Sequence, residues 1–144
     1  MGGQFWEEPR MKRLALIACL AALAAPLAAP AAGADPVEGL WQTKPDDNGN
    51  FGYIDMKACG AKLCGTLVKS FDKDGKPMAS PNIGKQIVWD MVAEGKGYYD
   101  GGKIWAPDRD KTYNSNMTLS GDQLAVKGCV LFICRSGGTW TRVK

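Results

Sequence analysis

The sequence predicts an all-β protein, a small eight-stranded antiparallel up-and-down barrel. Three observations carry that expectation. From residue 38 onward, short stretches of period-two alternation recur, and none shows helical periodicity. Turn residues separate the stretches, so consecutive strands follow one another by hairpins. Fifteen of the 18 Gly lie after residue 34, about twice the usual share of roughly 7%. Closing such strands into a barrel removes the edges that a two-sheet sandwich would leave exposed, which favours the barrel.

The first candidate strand covers residues 38–44, and Pro45-Asp46-Asp47-Asn48-Gly49 follows as a turn whose Asn-Gly tolerates positive φ. Residues 51–57 and 63–70 flank the loop between Cys59 and Cys64. Asp72-Lys73-Asp74-Gly75-Lys76-Pro77 begins the longest irregular connection, which runs to about Gly84. Residues 87–92 set Ile87, Trp89 and Met91 against Val88, Asp90 and Val92. Residues 97–105 come next, and Pro107-Asp108-Arg109-Asp110-Lys111 turns the chain. The cleanest alternation places Tyr113, Ser115, Met117 and Leu119 on one face and Thr112, Asn114, Asn116 and Thr118 on the other. Ser120-Gly121-Asp122 leads into Leu124, Val126 and Gly128, and the last strand covers residues 138–143.

Residues 1–34 read as an N-terminal extension and a cleaved export address, and residues 35–144 as a single barrel domain. Lys12 and Arg13 precede the apolar run from Leu14 to Ala25, and the segment ends in Ala32-Gly33-Ala34. A positive start, a short apolar stretch and a small-x-small ending are the marks of a secretory signal cut after Ala34. Met11 reads as its natural start. Twelve unbroken apolar residues fall short of the about 20 that a spanning helix needs, so no stable membrane span is expected. Leu16-Ile17-Ala18-Cys19 loosely resembles a lipoprotein acylation box, but the apolar stretch before Cys19 is too short for one. The expected location is periplasmic or secreted.

Export decides how the cysteines read. Cys59, Cys64, Cys129 and Cys134 are an even set in an oxidising compartment, so two disulfides are favoured over a tetrathiolate zinc site. Both local pairs share an i, i+5 spacing, which a hairpin loop brings together. Local pairing therefore stands ahead of cross-pairing.

The whole chain carries a formal net charge of +3, too slight to argue for nucleic acid. Histidine is absent, which removes the usual general base and the commonest metal ligand. No cofactor or metal is expected. Asp72-Lys73-Asp74-Gly75 lacks the alternating acidic residues and distal Glu of a calcium loop and reads as a turn. Asp108 and Asp110 sit in turn-forming company, and no serine falls in a nucleophile elbow. The chain reads as a non-enzyme.

Gly39-Leu40-Trp41, Cys64-Gly65-Thr66-Leu67-Val68, Gly101-Gly102-Lys103-Ile104-Trp105-Ala106-Pro107, Lys111-Thr112-Tyr113 and Thr139-Trp140-Thr141-Arg142-Val143 run in order through the chain. In these pieces it resembles an uncharacterised exported bacterial family, domain of unknown function 2147. It departs from the family in the middle, where Ser80-Pro81-Asn82-Ile83-Gly84-Lys85 replaces the usual Asn-Pro followed by an arginine-rich segment. The resemblance implies a calycin-like barrel, related in shape to lipocalins and avidins, with no established activity. Gly39-x-Trp41 also resembles the lipocalin signature, which implies that Trp41 on the first strand packs against Arg142 from the last to close one end. An Arg stacked on an indole face gains about 0.5–2 kcal/mol and can donate to nearby carbonyls.

Trp41, Trp89, Trp105, Trp140, Tyr53 and Tyr113 can fill a small barrel as core or line a pocket in its mouth. On the second reading, Trp89, Met91, Tyr113 and Met117 are the candidate contacts for a small, largely apolar ligand. The alternative class is a protein-interaction module, an inhibitor or envelope-assembly factor with an envelope protein as partner. It would act through its loops, above all the segment from Phe71 to Gly84. Val130-Leu131-Phe132-Ile133 also reads in two ways. The plain reading continues a strand into the core, and the other makes a disulfide-clamped apolar tip.

Overall fold

Each predicted stretch of alternation forms a strand in the computed structural model, which describes residues 33–144. The strands are β1 (Gly39–Gln42), β2 (Phe51–Cys59), β3 (Lys62–Phe71), β4 (Pro77–Met78) and β5 (Gln86–Gly95). They continue with β6 (Tyr98–Ala106), β7 (Lys111–Ser120), β8 (Gln123–Val130) and β9 (Ile133–Arg142). Among the described residues no helix forms. The segment expected to direct export, with Lys12, Arg13 and Cys19, lies outside the described residues except for Gly33 and Ala34.

Antiparallel neighbours run from β1 to β2, β3, β5, β6, β7, β8 and β9. β9 then returns to β1 through Trp41↔Arg142 and Gln42↔Thr141, closing an 8-strand barrel. β4 adds two register pairs to the end of β3 and takes no part in closure. It escapes the sequence reading because two exposed residues carry no alternation.

The alternation on β7 shows why the barrel forms. Ser115 and Met117 are buried while Asn114 and Thr118 are exposed, so one face of the strand supplies the core and the other meets water. The same pattern places Trp41, Met117 and Leu124 inside with no exposed area. Bulges between Tyr53 and Ile54, between Tyr99 and Gly102, and between Val126 and Lys127 bend the strands as closure demands.

Large interior side chains fit because two strands carry glycine where they face them. A Cβ at Gly65 would stand 2.5 Å from the Met56 Sδ, and one at Gly102 would stand 2.6 Å from the Met91 Sδ. Flexible thioethers occupy the room that the missing side chains leave.

Strand directions sort the connections into two ends. The N-terminal segment 35–38, the short turns at 60–61, 96–97 and 121–122, and the C-terminus share one end. Residues 43–50, the long connection 72–85, the turn 107–110 and the Leu131–Phe132 tip share the other, called here the loop end.

The last strand begins at Ile133 and not at Gly138, because β8 and β9 pair continuously from Gln123↔Thr141 to Val130↔Ile133. Ser136, Gly137 and Gly138 have low strand propensity, and that masks the pairing in the sequence. Val130 to Ile133 correct the core reading. They do extend the two strands, but into solvent, with Leu131 85% and Phe132 101% exposed.

Candidate functional site

At the closed end, the sequence places an aromatic, a guanidinium and a short N-terminal segment within reach of one another. The Arg142 guanidinium carbon lies 4.3 Å from the centroid of the Trp41 ring. Its Nη1 donates to the Glu38 carbonyl at 3.1 Å and its Nη2 to the Pro36 carbonyl at 2.6 Å. Gly39 permits this approach. It takes φ +127, and a Cβ there would stand 3.1 Å from the Arg142 Nη1. The Trp41 indole N–H donates to the Val37 carbonyl at 2.8 Å. Asp122 sits beside Arg142 at 3.4 Å, and a hydrogen bond from Lys144 holds its carboxyl below the usual range.

The same segment is tied from the other side. The Tyr99 hydroxyl donates to the Asp35 Oδ1 at 2.5 Å, and the Val37 N–H donates to the same oxygen at 2.9 Å. Burial first, then the bond to Asp35, pushes the Tyr99 hydroxyl well above its ordinary value. Among the described residues, every buried side-chain nitrogen or oxygen has a hydrogen-bond partner. This end is therefore a satisfied plug.

The four expected ligand contacts do not come together. Met91 and Met117 are fully buried and belong to the core cluster. Tyr113 is half-buried near the loop end, opposite Ile104. Trp89 pairs with Lys103 and stays outside the core cluster. Asp90 causes this. It takes φ +58 in the middle of β5, and the resulting irregularity buries Val88 and Met91 while it turns Trp89 away.

Open space occurs instead along β6, β7 and β8, about 340 Å³ between Asp100 and Leu131, and at the loop end. At the loop end, a concavity of about 300 Å³ is lined by the apolar residues Leu67, Phe51, Phe71 and Met78. Its polar lining is Asp46, Asn50, Ser70, Ser80 and Asn82, with Pro107 from the next turn. The rings of Phe51 and Phe71 stack at 5.1 Å, and Tyr53 packs on Phe71 at 4.6 Å. The long connection folds back over this space. The Gly84 N–H donates to the Leu67 carbonyl at 2.7 Å, and the Leu67 N–H donates to the Lys85 carbonyl at 3.0 Å.

Local hydrogen bonds shape the loops around it. The Asp72 Oδ1 accepts from the Asp74 and Lys76 N–H groups, and the Asp46 Oδ1 accepts from those of Asn48 and Asn50. The Trp105 indole N–H donates to Asp110 at 3.0 Å, while Asp108 lies 3.5 Å from Arg109. A bond with Tyr113, first, and the neighbouring acidic groups raise the Arg109 guanidinium above its ordinary value. Leu67, Ser70 and Asn50 went unread as mouth residues because the fold-back of residues 79–85 leaves no periodic signal.

Both disulfides are local, Cys59–Cys64 and Cys129–Cys134. They differ in placement. Cys129 directly opposes Cys134, whereas Cys59 opposes Lys62 and Cys64 opposes Lys57, a diagonal pair above the Gly60-Ala61 turn. Among the described residues, no three His, Cys, Asp or Glu side chains are grouped to hold a metal ion. No helix among them is long and apolar enough to cross a membrane.

A family profile described as an uncharacterized protein conserved in bacteria (DUF2147) matches residues 39–142. The chain belongs to this family. Comparison with curated proteins returns no match. Among solved structures it is similar to protein HP1028 from Helicobacter pylori, described as belonging to the lipocalin family, with 18% identity and a TM-score of 0.60. That likeness covers 74% of this chain and 82% of the other, and it shows a shared fold. Within the DUF2147 chain, the departing segment Ser80 to Lys85 supplies Ser80, Pro81 and Asn82 to the loop-end concavity.

Proposed function

We propose that the chain is a non-catalytic, exported binding protein that takes a small, largely apolar ligand in the mouth of its barrel. One observation carries the reading: a concavity of about 300 Å³ at the loop end, lined by both apolar and polar residues. That size and lining suit a small ligand, whose orientation a few polar groups would fix. The interior is taken up by Trp41, Met56, Met91 and Met117, each at most 1% exposed. This filling supports a site above Leu67 and not along the barrel axis. Met91 and Met117 then serve only as buried core, and Trp89 and Tyr113 stay outside that core. Two disulfides are compatible with an extracellular location and support periplasmic residence or secretion.

Native mass spectrometry of the protein taken from its own cell envelope tests this reading. The expected result is a small-molecule adduct that disappears in Ala79→Trp, which fills the concavity from an exposed loop position. A ligand-free wild type, or an adduct unchanged in the variant, overturns it.

A second reading rests on the long connection, where Met78 and Ile83 are 39% and 43% exposed. It makes the loop end a docking surface for an envelope protein. Capture of one partner that requires residues 72–85 but tolerates Ala79→Trp would favour it.

A further inference from the structure

We propose that the β8–β9 hairpin tip is a membrane-docking element that inserts Leu131 and Phe132 into the apolar edge of an anionic lipid surface. The inference is independent of what the mouth binds. Val130, Leu131, Phe132 and Ile133 are 59%, 85%, 101% and 66% exposed, an uninterrupted apolar run at the extremity of a hairpin. A surface that meets only water does not carry four such residues in a row.

The tip is held in place. Cys129–Cys134 clamps the strands one residue pair below it, and the Asn116 side-chain N–H₂ donates to both sulfurs, at 3.6 and 3.7 Å. Leu131 takes φ +54, at the loop position where such hairpins place Gly. A bulky residue kept in that conformation with 85% of its surface exposed contributes little to packing. Its side chain serves something outside the barrel.

Charge and size identify the occupant. Lys111, Lys127 and Arg135 stand on β7, β8 and β9, and those three strands contain no Asp or Glu. Lys103 adds a further cation, hydrogen-bonded to Asn114 at 2.6 Å. Asp100 lines the concavity beside Leu131, and Asp108 and Asp110 lie in the turn before β7, where Asp108 pairs with Arg109 at 3.5 Å. The balance around the tip is positive, which suits anionic headgroups. A stable protein interface takes roughly 20–30 residues a side, far more than this convex turn presents. A bilayer accepts two or four apolar residues without shape complementarity. Met78 and Ile83, also partly exposed, lie at the same end.

Vesicle co-sedimentation of the disulfide-bonded protein tests the proposal. Vesicles of phosphatidylcholine alone are compared with equimolar phosphatidylcholine and phosphatidylglycerol. The protein is expected to partition at least about tenfold better onto the anionic vesicles, and to lose that preference as salt rises. Leu131→Gly with Phe132→Ser supplies the turn chemistry the backbone already wants, so its Tm is expected to be no lower than wild type. Its partition is expected to fall by about tenfold or more. Lys127→Gln with Arg135→Gln is expected to lose about threefold or more on the anionic vesicles alone. Equal partition of wild type and the turn variant, or no sedimentation of wild type with either vesicle, overturns the proposal. So does a dimer in sedimentation equilibrium that the turn variant abolishes without any vesicle binding, which would assign the tip to a second copy of the chain.

Discussion

Arg142 ties several parts of the closed end together. It stacks on Trp41, donates to two carbonyls of the N-terminal segment and faces Asp122. The ion pair adds little, since Asp122 is half exposed. The two carbonyl bonds and the stack are the larger share, and Arg142→Ala is expected to cost about 2–4 kcal/mol in urea denaturation. Arg142→Lys should recover less than half of this, because an ammonium cannot bond two divergent carbonyls and stack at once. Full recovery by Lys would show that charge alone matters. Tyr99 carries a pH signature. Burial and the bond to Asp35 raise its ionisation above the ordinary 10.0. The folded state thus holds its proton more tightly than the unfolded one. Its contribution is intact below pH about 10 and is lost progressively as the pH climbs beyond it, because the unfolded hydroxyl ionises first. Tyr99→Phe is expected to cost about 1–2 kcal/mol at neutral pH and to flatten that alkaline decline, read by denaturation at pH 7 and pH 10.5.

Among the elements, what is legible in sequence divides cleanly. The alternation on β7 gave its buried and exposed faces correctly, since Ser115 and Met117 need only period two to point inward. The same rule misplaced Trp89, because a bulge at Asp90 inserts a residue that no alternation can reveal. The mouth was illegible for another reason. It depends on residues 79–85 folding back onto β3 through backbone hydrogen bonds, to which side-chain type is nearly blind. The hairpin tip was legible only as a conflict: four apolar residues between cysteines that fit neither a turn nor a loop. Element-level energetics can be tested at the two interior glycines. A Cβ at Gly65 meets flexible or branched side chains, the Met56 Sδ and the Ile54 Cγ2, whereas one at Gly102 also meets the Trp89 carbonyl oxygen at 2.7 Å. Side chains can shift and a strand carbonyl cannot, so Gly102→Ala should cost more than Gly65→Ala, each within about 1–3 kcal/mol. Thermal melts of the two variants decide it, and equal losses would mean that β5 yields. Replacing Cys129 and Cys134 together by Ser should remove about 2 kcal/mol in urea denaturation, the small-ring value, and leave the barrel closed.

For the molecule as a whole, closure depends on its thinnest seam. β7 and β8 share seven register pairs, from Asn114↔Cys129 to Ser120↔Gln123, whereas β1 and β9 share two. Only the Val143 N–H, donating to the Leu40 carbonyl at 2.9 Å, extends that seam in the backbone. Side chains make up the difference, since Arg142 and Trp41 are register partners as well as stacked groups. A cylinder zipped by so few backbone bonds should open there first, as a local event that leaves the β5–β8 wall paired. Native-state hydrogen exchange of Arg142→Ala isolates this. Amides of residues 40–42 and 140–143 are expected to exchange at least about tenfold faster than in wild type, through an opening insensitive to low denaturant. Amides of Met117 and Val126 should accelerate only by the loss in global stability. If every strand instead accelerated by one common factor, the barrel would open as a single unit, and the Trp41–Arg142 contact would stabilise the whole fold and not the seam.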